Sequence, residues 1–159
     1  MQMVRVTAVV VVVLMAVTEA AGRPKADDPC SVTDFPVLCK SAVKNMKDPL
    51  SATAAAINAL LPLTEKAKAE AQKGKSDGGF SICLSNYDSA IDNLNKSLKN
   101  IRENDGFSLN VNLSAALTNF ETCNDAVDGS PAAKDIAKSA GVLRQMADNC
   151  LSLSTLLPQ

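Results

Sequence analysis

Four stretches of this chain place apolar residues at steps of three and four, the period of an α-helix with one buried face. In the first, Leu50, Ala54, Ile57, Leu60 or Leu61, Thr64, Ala67 and Ala71 share a side. The second stripe is Cys83, Tyr87, Ala90 or Ile91, Leu94, Leu98 and Ile101. The third is Leu113, Ala116 or Leu117, Phe120, Cys123 and Val127. The fourth is Ile136, Ala140, Leu143, Met146 or Ala147, Cys150, Leu153 and Leu157. Nowhere is the alternation of a strand sustained. The segments KGKSDGGF, ENDGF and VDGSP lie between the stripes, and each carries an Asp-Gly step of the kind favoured in turns. Four amphipathic helices joined by short loops predict an all-α fold, an antiparallel up-and-down four-helix bundle over about residues 48–157. Pro62 falls inside the first stripe, where a kink or restart is expected. Asp48-Pro49 and Ser130-Pro131 read as helix starts, a capping side chain followed by Pro at the first helical position. Asp28-Pro29 repeats that signal ahead of the bundle and opens a shorter segment over about residues 27–46.

The N-terminus reads as an export signal. Arg5 is followed by an apolar run to Val17, and small residues appear at Ala20 and Ala21. A short basic start, a short apolar core and a small-residue exit are the parts of a secretory signal peptide. Residues 1–20 are assigned to it, with cleavage after Ala20 and Ala21 or Gly22 as alternatives, and residues 21–159 to one domain. The run is shorter than the ~20 residues that span a bilayer, and no later segment is apolar enough to cross one. The mature protein is expected to be soluble and secreted, with no membrane partner.

Export sets the redox context of five cysteines, of which four are expected to pair in an oxidising compartment. Cys83 lies near the start of the second helix and Cys123 near the end of the third. Antiparallel neighbours bring those ends together, so Cys83–Cys123 is the natural long-range pair and Cys30–Cys39 the local one. Cys150 is then a free thiol, and its place on the fourth stripe makes it a buried, inert one. Two glycosylation sequons occur, Asn95-Lys96-Ser97 and Asn112-Leu113-Ser114, with Asn112, near a helix start, the better acceptor.

Several functions are disfavoured. A net charge of -1 gives no field for nucleic acid. The absence of His removes Ser-His and Cys-His nucleophile pairs and the usual zinc ligand sets, and no Cys-x-x-Cys is present. With no Trp and one Tyr, stacking platforms for sugars are missing. No catalytic residue, cofactor site or metal site is assigned.

Four blocks together resemble the plant invertase / pectin methylesterase inhibitor family. CSVTDFPVLC, residues 30–39, is similar to its opening Cys…Phe-Pro-x-x-Cys block. CLSNYDSAIDNLNKSL is similar to its second block, LSAALTNFETCNDAV to its third, and NCLSL to its closing one. The resemblance covers nearly the whole mature chain. It implies a disulfide-closed N-terminal helical hairpin packed on a disulfide-tied four-helix bundle, with Phe35 as the apolar anchor of the hairpin. It further implies a secreted inhibitor, without catalysis of its own, that occludes the active site of pectin methylesterase or of acid invertase. The location implied is the apoplast or cell wall, with the vacuole as the alternative. Thr122, beside Cys123 in the matched Thr-Cys block, is the position at which the family suggests a target contact. Invertase-type members carry Pro-Lys-Phe between the third and fourth bundle helices. Here that loop reads Ser130-Pro131-Ala132, with no Phe, which weakens the invertase reading and leaves pectin methylesterase as the leading partner. A monomer is expected, with a hairpin-swapped dimer as the alternative. A carrier of a small apolar ligand is the remaining reading, disfavoured by stripes that look filled.

Overall fold

A computed structural model describes residues 28–74 and 78–159, apart from the Ala132 side chain; the signal-peptide reading of residues 1–20 lies outside them. Within them the chain forms five α-helices and no strand: α1 Pro36–Val43, α2 Pro49–Lys73, α3 Gly78–Glu103, α4 Gly106–Val127 and α5 Lys134–Ser154. Short 3₁₀ turns, Pro29–Val32 and Pro131–Ala133, lead into α1 and α5. α2 packs on α3 and α5, and α4 packs on the same two, so four helices run up and down around one core. The first 3₁₀ turn and α1 form a small hairpin laid against α5 and α2.

The helix starts follow from capping chemistry. Asp48 accepts from the Ser51 backbone N–H at 2.9 Å and from the Ser51 hydroxyl at 2.7 Å, and Pro49 is the first helical residue. Asp28 does the same for the first 3₁₀ turn, accepting from Cys30 N–H at 3.0 Å. Asp105-Gly106 starts α4 instead of forming a turn: Asp105 accepts from Ser108 N–H at 2.9 Å. The reversal before it is made by Asn104, which is left-handed at φ 55. Gly129, by contrast, supplies the left-handed residue, φ 70, that leads the chain out of α4.

The core is sealed by Tyr87, Phe120, Ile57, Leu60, Leu94 and Leu113, all fully buried. Each such aliphatic or aromatic side chain contributes about 1.5–3 kcal/mol through apolar burial. The Tyr87 and Phe120 rings meet at 6.3 Å, tilted by 48°, across α3 and α4.

The third and fourth stripes face inward at every predicted position, and the first two do so in part. In α2, Leu50 is 39% exposed and Ala54 half-buried; Ala52, Thr53 and Ala56 take the inner face there. In α3, Leu98 and Ile101 are half-buried while Ser97 and Asn100 point inward. Polar residues can hold those positions because their bonds are made locally. Thr53 donates to the Pro49 carbonyl at 2.8 Å, and Ser97 to the Asn93 carbonyl at 2.9 Å. Pro62 produces no restart: α2 is one helix from Pro49 to Lys73. Pro62 and Asn58, whose carbonyl loses its helical donor, both lie on the exposed side, where water can replace the missing N–H.

Candidate functional site

Two disulfides tie the molecule together. Cys30–Cys39 closes the hairpin, and Cys83–Cys123 joins the start of α3 to the end of α4. All four residues are at most 1% exposed. Cys150 on α5 is free and fully buried, and burial pushes its thiol up to about 12, so it is protonated and shielded.

The hairpin is fastened to the bundle chiefly through its backbone. The Asn149 side chain, 2% exposed on α5, accepts from Phe35 N–H at 3.2 Å and donates to the Phe35 carbonyl at 3.0 Å. The Phe35 ring is only half-buried, with the Arg144 guanidinium 5.9 Å from its centre. Its part as apolar anchor is therefore limited: the buried residues of the hairpin are Pro29, Cys30, Thr33, Cys39 and Val43. Beside Asn149, burial raises the Asp148 carboxyl, the Asp34 carboxylate raises it further, and Arg144 works against both. Asn149 escapes a search for apolar periodicity. Its signal in the sequence is an amide on a core-facing register next to Cys150.

The outer side of α4 has an unusual composition. Phe107, Val111, Ser114, Thr118 and Thr122 follow one another at steps of three or four and so share one face. Phe107 is 72% exposed and Val111 52% exposed. α4 has no Lys or Arg, and its acids, Glu121 and Asp125, stand near the C-terminal end. Solvated helix faces normally carry charge. From Phe107 to Thr118 this face carries no charge, with exposed Phe107, Val111 and Thr118 and half-buried Ser114, before Glu121 and Asp125 continue it; a charge-poor stretch with an exposed aromatic resembles the centre of a protein–protein interface. Thr118 donates to the Ser114 carbonyl at 3.1 Å and Thr122 to the Thr118 carbonyl at 2.8 Å, which turns both hydroxyls back along the helix. Thr122 is next to the bridged Cys123, so its backbone is pinned to α3.

The sequons differ in setting. Asn95 is exposed on α3. Asn112 is half-buried, and its amide donates to Asn100 Oδ1 and to the Ser108 carbonyl, both at 2.9 Å. A groove of about 730 Å³ separates α2 from α5. Among the described residues there is no cluster of three metal-ligating side chains, and no helix is long and apolar enough to cross a membrane.

The two strongly shifted groups, Tyr87 and Cys150, are sealed in the core of this cross-linked helical bundle. A model of the plant invertase/pectin methylesterase inhibitor family matches residues 26–153. The chain is 33% identical over 90 residues to the pectinesterase inhibitor of Actinidia deliciosa, a span covering 56% of this chain and 49% of that protein. It is 28% identical over 91 residues to pectinesterase inhibitor 1 of Arabidopsis thaliana, covering 54% and 49%. The chain thus spans about half the length of the curated relatives it matches. The crystal structure of a mutant form of a pectin methylesterase inhibitor from Arabidopsis superposes with a TM-score of 0.73 at 20% identity, covering 82% of this chain and 95% of that one. A second structure, of a pectin methylesterase inhibitor from Arabidopsis thaliana, gives a TM-score of 0.65 at 20% identity, over 82% and 93%. These two likenesses establish the fold. The chain belongs to the plant invertase/pectin methylesterase inhibitor family, and its curated relatives are named as inhibitor proteins, not as enzymes.

Proposed function

We propose that this protein is a secreted inhibitor that binds pectin methylesterase one-to-one and covers its active site. The outer stripe of α4, free of charge from Phe107 to Thr118, carries the reading, with Phe107 and Val111 at one end and Thr122, beside Glu121, at the other. A preformed helix face loses little conformational entropy on docking, which is what favours tight obstruction of a cleft. Both curated relatives are named for inhibiting pectinesterase, which supports that enzyme over acid invertase as the target. Two disulfides that close the hairpin and tie α3 to α4 suit the oxidising apoplast. Thr122 acts by position: a small residue whose methyl group lets another backbone approach. A glycan fits the exposed Asn95 and conflicts with the packed Asn112 amide.

Purified mature protein, mixed with pectin methylesterase at mildly acidic pH, forms a complex on size exclusion and lowers the release of methanol from pectin. Thr122→Arg and Val111→Arg, both on the exposed stripe, abolish the complex while the helical spectrum stays intact. Inhibition of sucrose hydrolysis by acid invertase, with pectin methylesterase untouched, would assign the other target. No complex with either enzyme would overturn the inhibitor reading.

A further inference from the structure

We propose that the groove between α2 and α5 binds a small amphipathic anion, an apolar body bearing one carboxylate or sulfonate head. The site lies on other helices than the α4 stripe and is independent of the inhibitor reading. Its floor is made by Ala67, Phe80, Ile136 and Leu143, none more than 8% exposed. Leu63, 44% exposed, and Val142, 38% exposed, stand on its opposite walls. Small residues create the space: Ala67 on α2 and Ser139 on α5 line it where larger side chains would fill it, and Gly74, just past α2, makes room for the Phe80 ring of the floor. At about 730 Å³ it has the volume of a small-molecule site and is too small for a helix.

The charges at the rim select the head group. Lys73 is committed to Glu70 at 2.8 Å. Lys66 on the α2 wall, which lowers the Glu70 carboxyl only from beyond ion-pair distance, and Lys138 on the α5 wall have no carboxylate within ion-pair distance among the described residues. The other acid at the rim, Asp135, sits in the first turn of α5, where the helix N-terminus offsets its charge. An apolar slot with a free cation on each wall is complementary to an anion with an apolar tail. An unused donor adjoins it. The Tyr87 hydroxyl is sealed in the core with no hydrogen bond and lies beside Ser139, whose own hydroxyl donates to the Ile136 carbonyl at 2.9 Å.

The chain has one Tyr and no Trp, so its intrinsic emission reports on Tyr87 alone. Anilinonaphthalene sulfonate is titrated into the folded protein, then displaced with laurate or with dodecanol, the uncharged alcohol of the same chain length. The expected result is saturable one-to-one binding, displacement by laurate far better than by dodecanol, and a change in tyrosine emission. Lys66→Gln combined with Lys138→Gln weakens binding about three- to tenfold with the melting temperature unchanged, since both side chains are at the surface. Absence of saturable binding, equal displacement by the alcohol, or affinity unaffected by the lysine variants would each overturn the site.

Discussion

Tyr87 shows how one residue can be well packed and poorly satisfied at once. Its ring is fully buried against Phe120, while its hydroxyl has no hydrogen bond. Burial raises its pKa from 10.0 to about 12, only partly opposed by Ser139. Because the folded state holds the proton more tightly, this contribution to stability is complete below pH 10 and is lost as pH rises through about 12. A spectrophotometric titration of the single tyrosine is expected to show no ionisation until the protein approaches that pH. Tyr87→Phe removes an unbonded hydroxyl and keeps the ring, so urea unfolding should give equal stability or a gain of up to about 1 kcal/mol. Periodicity placed Tyr87 in the core. It carried no information about the hydroxyl, because the groups around it come from α4 and α5, far away in sequence.

At the scale of elements, two joints decide how the helices meet. Gly106 opens α4, and a Cβ there would run into the Pro158 carbonyl and crowd Gln159. Gly→Ala in a helix ordinarily stabilises by about 0.5–1 kcal/mol. Gly106→Ala should do the reverse, lowering the melting temperature by displacing the C-terminal residues from the start of α4. The other joint is between hairpin and bundle. Its link passes through Lys44 and Asn45, both left-handed at φ 48 and φ 65, and Asn149 holds Phe35 by two bonds. Asn149→Leu leaves the Phe35 N–H without a partner, at about 1–3 kcal/mol, and leaves the Phe35 carbonyl with the Cys39 N–H alone. Hydrogen exchange is expected to rise in residues 30–43 and to stay unchanged in α3 and α4. The Asp-Gly step at Asp105 looked like a turn and proved to be a cap and a close contact, because the partner that requires glycine is 52 residues downstream by sequence number, at Pro158.

Across the molecule, the Cys83–Cys123 bridge, with a sequence separation of 40, couples α3 to α4 and holds the α4 face in place. In the chain-entropy account such a loop adds about 3–4 kcal/mol by restricting the unfolded chain. Replacing both residues by Ala should lower unfolding stability by about that amount and weaken binding to the target enzyme. Cys150 supplies a reporter of the same transition. Its thiol, raised by burial to about 12, should resist iodoacetamide in the native protein and react in step with global unfolding.

The all-α class, the bundle, its four long helices and most inward-facing residues were legible in the sequence, because a helix with one buried face writes its period into the chain itself. The family resemblance was legible there too, as local patterns of residue type. The register at the ends of α2 and α3, the passage of α2 through Pro62, the Asn149 clasp on Phe35 and the groove between α2 and α5 were decided only by the tertiary structure. Each depends on what a distant segment places opposite a side chain: a carbonyl to accept, a small residue that leaves space, or open water. Spacing along one helix carries no record of its neighbours.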